Sequence, residues 1–505
     1  MLISLNNKTT QAILIFIAIS VIIILNSMMS SSGALSPDST HYLAFAQRLI
    51  DGNSIWEAGE NGHFAVWPVG YPVLIFIVSK ILGLSVFVSS KVVNVIFVLA
   101  SIVLILRYFP GKPLTYLLLL SFGSYLQIFS HSWSEIPFIF CLLWFCLSLS
   151  KIYSSQSTGW HLSLLFSLVA LFMFRYIGAF GLLVIALLGL YKLHNKDLKG
   201  FTFLTIIGLL AFSVMAAYLY NNVQLTGWAT GRERLPAFES SYGLLLMTAK
   251  GLLQELSFII GRNKQLFWIT MFVQTGILVA LYITLKRRTI DANDFAEKGQ
   301  DTDSITSFGY IFLLTGITYY LAIIVLRWNS HFDTLNTRLL APGTLLILIA
   351  FVYFIRTHAD DFWARLTEQM VLALSICSLL LAMWLAFNTN SIESDNRYSA
   401  YSDQIENIQD DYSAINPSAI VIFGNVHMRY LNTSLIIKRP YSHPLAKDKQ
   451  PVTEYLEQIM NQYPDKVIVI DISAGIERCE RLHESWCEIL RQHKDKVFFT
   501  VQSGN

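Results

Sequence analysis

Charge is scarce in this chain. Of 505 residues only 14% are charged while 54% are hydrophobic, and the mean hydropathy is +0.51. That leaves too little polar surface to cover a water-soluble globule of this size, so the chain reads as a multi-pass membrane protein. A net charge of +2, with no basic run and no interleaving of basic and aromatic residues, excludes a nucleic-acid partner. Cysteine is equally sparse. Cys141, Cys146 and Cys377 fall in apolar runs, and Cys479 and Cys487 stand about two helical turns apart without zinc-ligand company, which excludes a disulfide framework and a closed zinc site. No glycine-rich phosphate loop is present: Phe423-Gly424-Asn425-Val426-His427 has a single glycine, well short of a dinucleotide fingerprint. No internal repeat is visible. The first apolar run has only Lys8 ahead of it and no convincing small-residue cleavage site, although Ser30-Ser31-Ser32-Gly33-Ala34 follows, so it reads as an uncleaved span.

What the chain has instead is long hydrophobic runs. About eleven are long enough to cross a hydrocarbon layer of roughly 30 Å: Gln11 to Met29, Val86 to Leu106, Leu114 to Phe129, Ile136 to Ser150, His161 to Phe174, Ile177 to Leu190, Phe201 to Leu219, Phe267 to Leu285, Phe308 to Leu326, Leu339 to Ile355 and Val371 to Phe387. The run Val73 to Leu82 is too short and reads as a helix lying on the outer surface. Arg175-Tyr176 alone separates two spans, which implies a tight hairpin or one kinked element. Short-loop Lys and Arg then set the orientation. Arg107, Lys112, Lys151, Lys192, Lys196, Lys199, Lys286-Arg287-Arg288, Arg356 and Arg365 share one side if the N-terminus is cytoplasmic.

The opposite side collects the chemistry. It receives the loop 30–85 with Asp38, the turn His131-Ser132-Trp133-Ser134-Glu135, Arg175-Tyr176, the loop 221–265, the segment Arg327 to Arg338 and everything after Asn388. Asp38 lies just past the first span, where a carboxylate can reach a lipid-linked substrate; its residue type and neighbours also fit a helix N-cap. Arg175 and Arg338 stand beside apolar spans, a costly placement that marks function, with snorkelling to headgroups as the plainer role. Arg232, Arg234, Arg262 and Lys264 populate the long loop. Glu135 opens a span, where a carboxylate also suits the helix dipole. Trp67, Tyr71 and Trp133 fit an interfacial aromatic belt.

After Asn388 the pattern changes. Ser418 to Phe423, Ser434 to Ile437, Lys466 to Asp471 and Lys496 to Val501 read as short buried strands, and Thr453 to Gln462 and Ile476 to His493 as amphipathic helices. The expectation is a small α/β domain over 388–505, a scaffold or acceptor-facing cap, appended to a membrane module over 1–387.

Asp38-Ser39-Thr40-His41-Tyr42, Trp67-Pro68-Val69-Gly70-Tyr71-Pro72, Ser134-Glu135, Phe174-Arg175-Tyr176-Ile177-Gly178 and Thr337-Arg338-Leu339-Leu340-Ala341-Pro342, in this order and on one side, resemble the GT-C glycosyltransferases. The branch they are similar to holds protein O-mannosyltransferases and the aminoarabinose transferases of lipid A. The chain departs from the mannosyltransferases in carrying Ser39 after Asp38, where those enzymes have Asp-Glu. The resemblance implies an α-helical polytopic fold in the inner or plasma membrane, with the site and the C-terminal domain extracytoplasmic. It also implies inverting transfer of a sugar from a polyprenyl-phosphate donor to a lipid, glycan or protein acceptor. Such a displacement needs a base for the acceptor hydroxyl and cations for the leaving phosphate. Asp38 is the expected base, and Glu135 its companion, orienting an acceptor. Arg338 and Arg175, then Arg232, Arg234, Arg262 and Lys264, are the expected phosphate ligands, and His41, Tyr42, His63, Trp67, Tyr71 and His131 line the substrate loop. No cofactor is required; a divalent cation would fall to Asp38, Glu135 and His131, which lack closed-site spacing. An oligosaccharide ligase or polymerase, or a lipid-linked sugar flippase, are the rival classes. A flippase calls for interrupted spans and ionisable groups at mid-membrane rather than charges gathered at one face.

Overall fold

The computed structural model describes residues 8–30, 32–56, 63–155, 157–256, 302–359, 361–388, 401–438, 451–476 and 482–501, with single positions between 258 and 276. The expected span Phe267 to Leu285 therefore falls almost wholly outside the described residues, as do Arg262, Lys264 and Cys479. Eight of the expected spans appear as helices apolar and long enough to cross a membrane. They are α1 (Lys8–Met28), α4 (Val86–Tyr108), α7 (Glu135–Ser155), α9 (Phe180–His194, preceded by a 3₁₀ turn Tyr176–Ala179), α10 (Leu198–Thr226), α12 (Thr302–Asn329), α13 (Thr337–His358) and α14 (Asp361–Asn388).

Two expected spans differ. Leu114 to Phe129 is a pair of short helices, α5 (Pro113–Leu119) and α6 (Gly123–Ser130), bent by 65°; the Gly123 amide at the bend donates outside the pair, to the Phe258 carbonyl at 2.9 Å. His161 to Phe174 is α8 (Thr158–Phe174), 17 residues long. The segment 30–85 is largely helical, with α2 (Pro37–Ile50) and α3 (Gly70–Leu82), and α11 (Ser241–Glu255) occupies the expected loop 221–265.

Burial sorts the bundle into centre and periphery. The apolar window of α7 is 78% buried and that of α13 72%, against 22% for α10 and for α14. The two central helices are thus the ones whose first turns carry Glu135 and Arg338. An apolar helix against lipid gains nothing from the hydrophobic effect, so close packing at the centre is what fixes its position.

The C-terminal part is a four-stranded sheet in the order β2-β1-β3-β4, with β1 (Ile420–Ile422), β2 (Ile436–Lys438) and β3 (Ile468–Asp471) parallel and β4 (Phe498–Val501) antiparallel to β3. Its helices are α15 (Tyr401–Tyr412), α16 (Met428–Leu431), α17 (Val452–Gln462), α18 (Ile472–Ile476) and α19 (Glu484–Gln492). Of the helix expected over Ile476 to His493, the structure shows Glu484–Gln492, and 477–481 lie outside the described residues. This domain rests on α2: Tyr430 and Leu431 of α16 join the bundle's hydrophobic core, and the Thr433 hydroxyl donates to Asp51 Oδ2 at 2.6 Å.

Candidate active site

Four separate elements bring four charged side chains together at one end of the bundle. α2 begins with a reciprocal cap: the Ser39 amide donates to Ser36 Oγ at 3.3 Å and the Ser36 amide to Ser39 Oγ at 3.1 Å. Ser36, not Asp38, is the cap. Asp38 sits in the first turn with its carboxylate free to face the bundle, 2.7 Å from Arg338 Nη2. Arg338 belongs to the first turn of α13, whose Asn336 cap accepts from the Leu339 amide at 3.2 Å. Its Nε donates to Glu135 Oε1, and Arg175 Nη1 reaches the same oxygen at 2.9 Å. A third carboxylate, Asp333 in the loop before α13, lies 3.8 Å from Arg338 Nη1.

Glycine makes the approach of Arg175 feasible. The chain breaks at Arg175, which is extended between α8 and the 3₁₀ turn, and a Cβ on Gly178 would lie 2.4 Å from the Leu171 carbonyl carbon. A Cβ on Gly70 would likewise lie 2.5 Å from the Met173 carbonyl oxygen. Any larger residue at either place would push the helix ends apart and withdraw the guanidinium from Glu135.

Burial separates the two carboxylates. The Glu135 side chain is fully buried and that of Asp38 is 26% exposed. A buried carboxylate is tolerable only when paired, and Glu135 has two guanidiniums on one oxygen, while Oε2 has no hydrogen-bond partner. Neither arginine snorkels: Arg338 lies 4.6 Å over the Trp133 ring and Arg175 5.8 Å over Phe138. Trp133 is itself fixed. Its Nε1 donates to Ser36 Oγ at 2.7 Å, and His131 stacks on it at 4.0 Å.

The aromatic residues expected to line the site pack behind Asp38. Tyr42 donates to or accepts from Ser134 Oγ at 3.2 Å and meets Tyr71 edge to face at 5.4 Å; burial first, then the Asp38 and Glu135 charges, push its hydroxyl above the usual range, so it stays neutral. Tyr71 donates to Asn94 Oδ1 at 2.9 Å, and Asn94 Nδ2 holds the His131 carbonyl at 2.8 Å. His41 stacks against Trp67 at 4.8 Å. Tyr71 and Trp133 are therefore parts of the protein interior rather than an interfacial belt.

Other expected site residues are elsewhere. His63 pairs through Nε2 with Asn222 Oδ1 at 3.0 Å, in a cluster where Asn222 also donates to the Tyr176 hydroxyl at 3.1 Å. Arg234 donates to Thr230 Oγ1 at 2.9 Å and toward the Val66 carbonyl at 3.5 Å, and Arg232 is exposed; neither joins the carboxylates. The trio Asp38, Glu135 and His131 is not assembled as a metal site. Both carboxylates turn to Arg338, His131 turns to Trp133, and among the described residues no three His, Cys, Asp or Glu side chains gather to hold a metal ion.

Of three further charged groups, Asp333 and Glu255 carry no recognisable signal in the sequence, whereas Arg327 directly follows an apolar run. Asp333 is an isolated loop acid. Glu255 ends α11 fully buried; burial, offset in part by the Thr344 and Thr337 hydroxyls, holds its carboxyl well above the usual range. Arg327, fully buried at the end of α12, pairs through both terminal nitrogens with Glu239.

No protein-family model matches the chain, and no curated protein is similar to it in sequence. Solved structures share its fold at low identity. ArnT from Cupriavidus metallidurans in the apo state aligns with a TM-score of 0.53 at 10% identity, over 94% of this chain and 95% of that one. The same protein bound to undecaprenyl phosphate aligns with a TM-score of 0.52 at 10% identity, over 93% and 95% of the two chains. The Archaeoglobus fulgidus oligosaccharyltransferase in complex with Zn and sulfate gives 0.50 at 12% identity, over 96% of this chain and 71% of that one. The fold is of the GT-C type, a helical membrane bundle followed by a small α/β sheet.

Proposed function

We propose that this protein is an inverting glycosyltransferase that moves a sugar from a polyprenyl-phosphate donor to an acceptor on the outer face of the membrane. One observation carries the reading: in a GT-C-type fold, a part-exposed carboxylate, Asp38, stands 2.7 Å from an arginine, Arg338, that is anchored from behind by Glu135. In the step we assign, the acceptor oxygen attacks the anomeric carbon from the face opposite the phosphate. Its proton passes to the Asp38 carboxylate. The bond from carbon to the phosphate oxygen breaks, and its electron pair leaves with the phosphate. Charge grows on that phosphate as the bond breaks, so a nearby guanidinium stabilises the transition state more than the ground state.

Glu135 is a poor base here, because two guanidiniums occupy its only bonded oxygen. Its role is to hold both arginines against the site. The sheet domain, docked on the helix that carries Asp38, is a scaffold or acceptor-facing cap. A two-pronged guanidinium suits a phosphate better than a point charge, which favours Arg338 and Arg175 over the exposed Arg232 and Arg234 as donor ligands.

The test is purified full-length protein in nanodiscs, given a panel of undecaprenyl-phosphate sugars, with bare undecaprenyl phosphate as the blank. Transfer or hydrolysis of one of these sugars by the wild type is expected. Asp38→Asn should lower turnover by about 10² to 10⁴ with an unchanged unfolding temperature. Near-normal turnover in that variant would remove Asp38 from the mechanism. Cysteines at Ser240 and Ser402 should label from outside, and one at Ser155 should not; a mixed pattern would overturn the shared outer face.

A further inference from the structure

Two guanidiniums, Arg175 and Arg338, meet three carboxylates, Asp38, Glu135 and Asp333. The cluster thus holds one negative charge in excess before any anion arrives. An anionic donor cannot simply be added to it; like charges brought together at partly buried positions repel by several kcal/mol. Something must leave.

The geometry of Arg338 says which group. Its Nε edge is held from inside by the fully buried Glu135, and its face lies 4.6 Å over Trp133. The guanidinium is therefore fixed in place. Among the described residues its outward edge, Nη1 and Nη2, meets Asp333 at 3.8 Å and Asp38 at 2.7 Å, whose side chains are 66% and 26% exposed. That edge is the two-pronged seat a phosphate prefers, filled by two carboxylates that water can reach.

We propose that the donor phosphate exchanges with Asp38 on Arg338, so that donor binding itself releases the catalytic base. Without donor, Asp38 is held in an ion pair and its oxygens are turned from any acceptor. With donor, the phosphate takes the outward edge of Arg338 and Asp38 swings free, beside the anomeric carbon that the phosphate carries. The acceptor is then deprotonated only when there is a sugar to receive it, and donor must bind first. Asp333 shares the edge at longer range and is a lesser competitor. This rests on the reading of the site as a polyprenyl-phosphate glycosyltransferase.

The exchange makes a prediction that an ordinary catalytic base does not: removing the base should improve donor binding. Binding of bare undecaprenyl phosphate to the full-length protein in nanodiscs is the measurement. Asp38→Asn should bind it about tenfold more tightly than wild type, since a competing charge-assisted contact is gone. Asp333→Asn should give a smaller gain in the same direction. Arg338→Ala should bind poorly, and the double variant Asp38→Asn, Arg338→Ala should bind no better than Arg338→Ala alone. Asp38→Ala serves if the asparagine variant does not fold. Unchanged or weaker binding in both Asp38 variants would overturn the exchange, as would a gain that survives the loss of Arg338, which would mean only that a negative charge had been removed. Tight binding without sugar transfer by the wild type would sink the glycosyltransferase reading and leave the exchange standing; transfer with no gain in the Asp38 variants would do the reverse.

Discussion

Arg327 and Arg338 are eleven positions apart in sequence, at the two ends of one connecting segment, and both lie beside carboxylates, Arg327 fully buried and Arg338 13% exposed. Their neighbourhoods differ in one respect. Arg327 has a single acid, Glu239, which takes both its terminal nitrogens, and the charges cancel. Arg338 is shared among Glu135, Asp38 and Asp333, and the charges do not. A matched pair is complete and has no use for a ligand. An outnumbered cation has bonds to give away, and that is the property expected of a site rather than a strut.

The largest effect should come from removing the acid that the two active-site arginines share. Glu135→Leu takes from Arg175 the carboxylate it pairs with and from Arg338 its inner anchor, and should cost about 3 to 5 kcal/mol of stability together with all transfer activity, read by thermal unfolding in detergent and by product formation. If the variant unfolded at the wild-type temperature, the buried pairs would be contributing nothing. Next comes the outward edge of Arg338. Arg338→Ala should raise the barrier to transfer by about 2 to 4 kcal/mol, and Arg338→Lys should recover only part of it, because one ammonium replaces a fork. Full recovery by lysine would reduce the role to charge alone.

Arg327 should answer differently. Glu239→Gln is expected to lower stability by about 1 to 3 kcal/mol while leaving the affinity for undecaprenyl phosphate unchanged. The pair also has a pH signature. Hydrogen bonding from Arg327 holds the Glu239 carboxyl below the usual carboxylate range, so its contribution is present above the unfolded-state value and is lost as pH falls through the lower, folded one. Wild type should lose more stability over that acid window than Glu239→Gln. The smallest effect belongs to the tether between the sheet domain and α2. Thr433→Ala removes one exposed hydrogen bond to Asp51 and should change the unfolding free energy by less than about 1 kcal/mol.

Much of this was legible in the chain before any coordinates. Apolar runs mark where helices cross because lipid leaves the backbone no other partner, and all but the bent, the shortened and the undescribed run match single long helices. The strands of the tail were readable from their β-branched runs, and the amphipathic pattern before His493 marks the helix Glu484–Gln492. Asp38, Glu135, Arg175 and Arg338 stood out as charges at span ends. What no pattern in the sequence discloses is which of several such charges meet. Arg232 and Arg234 have the same chemistry as Arg338 and differ only in where α10 and its loop carry them. Asp333 and Glu239 were invisible for the same reason: a loop acid acquires meaning only from the arginine opposite.

The site is also assembled from distant parts of the chain, and that has a consequence for biosynthesis. Glu135 and Arg338 are 203 residues apart and Asp51 and Thr433 are 382 apart. While the ribosome is still making the early helices, Glu135 enters the bilayer with Arg175 as its only future partner yet synthesised, and Asp38 has none. Both carboxylates wait for α13. On the proposed function, a nascent or truncated chain that stops short of Arg338 would carry Asp38 but no seat for a phosphate, so it would not consume lipid-linked sugar before the bundle closes.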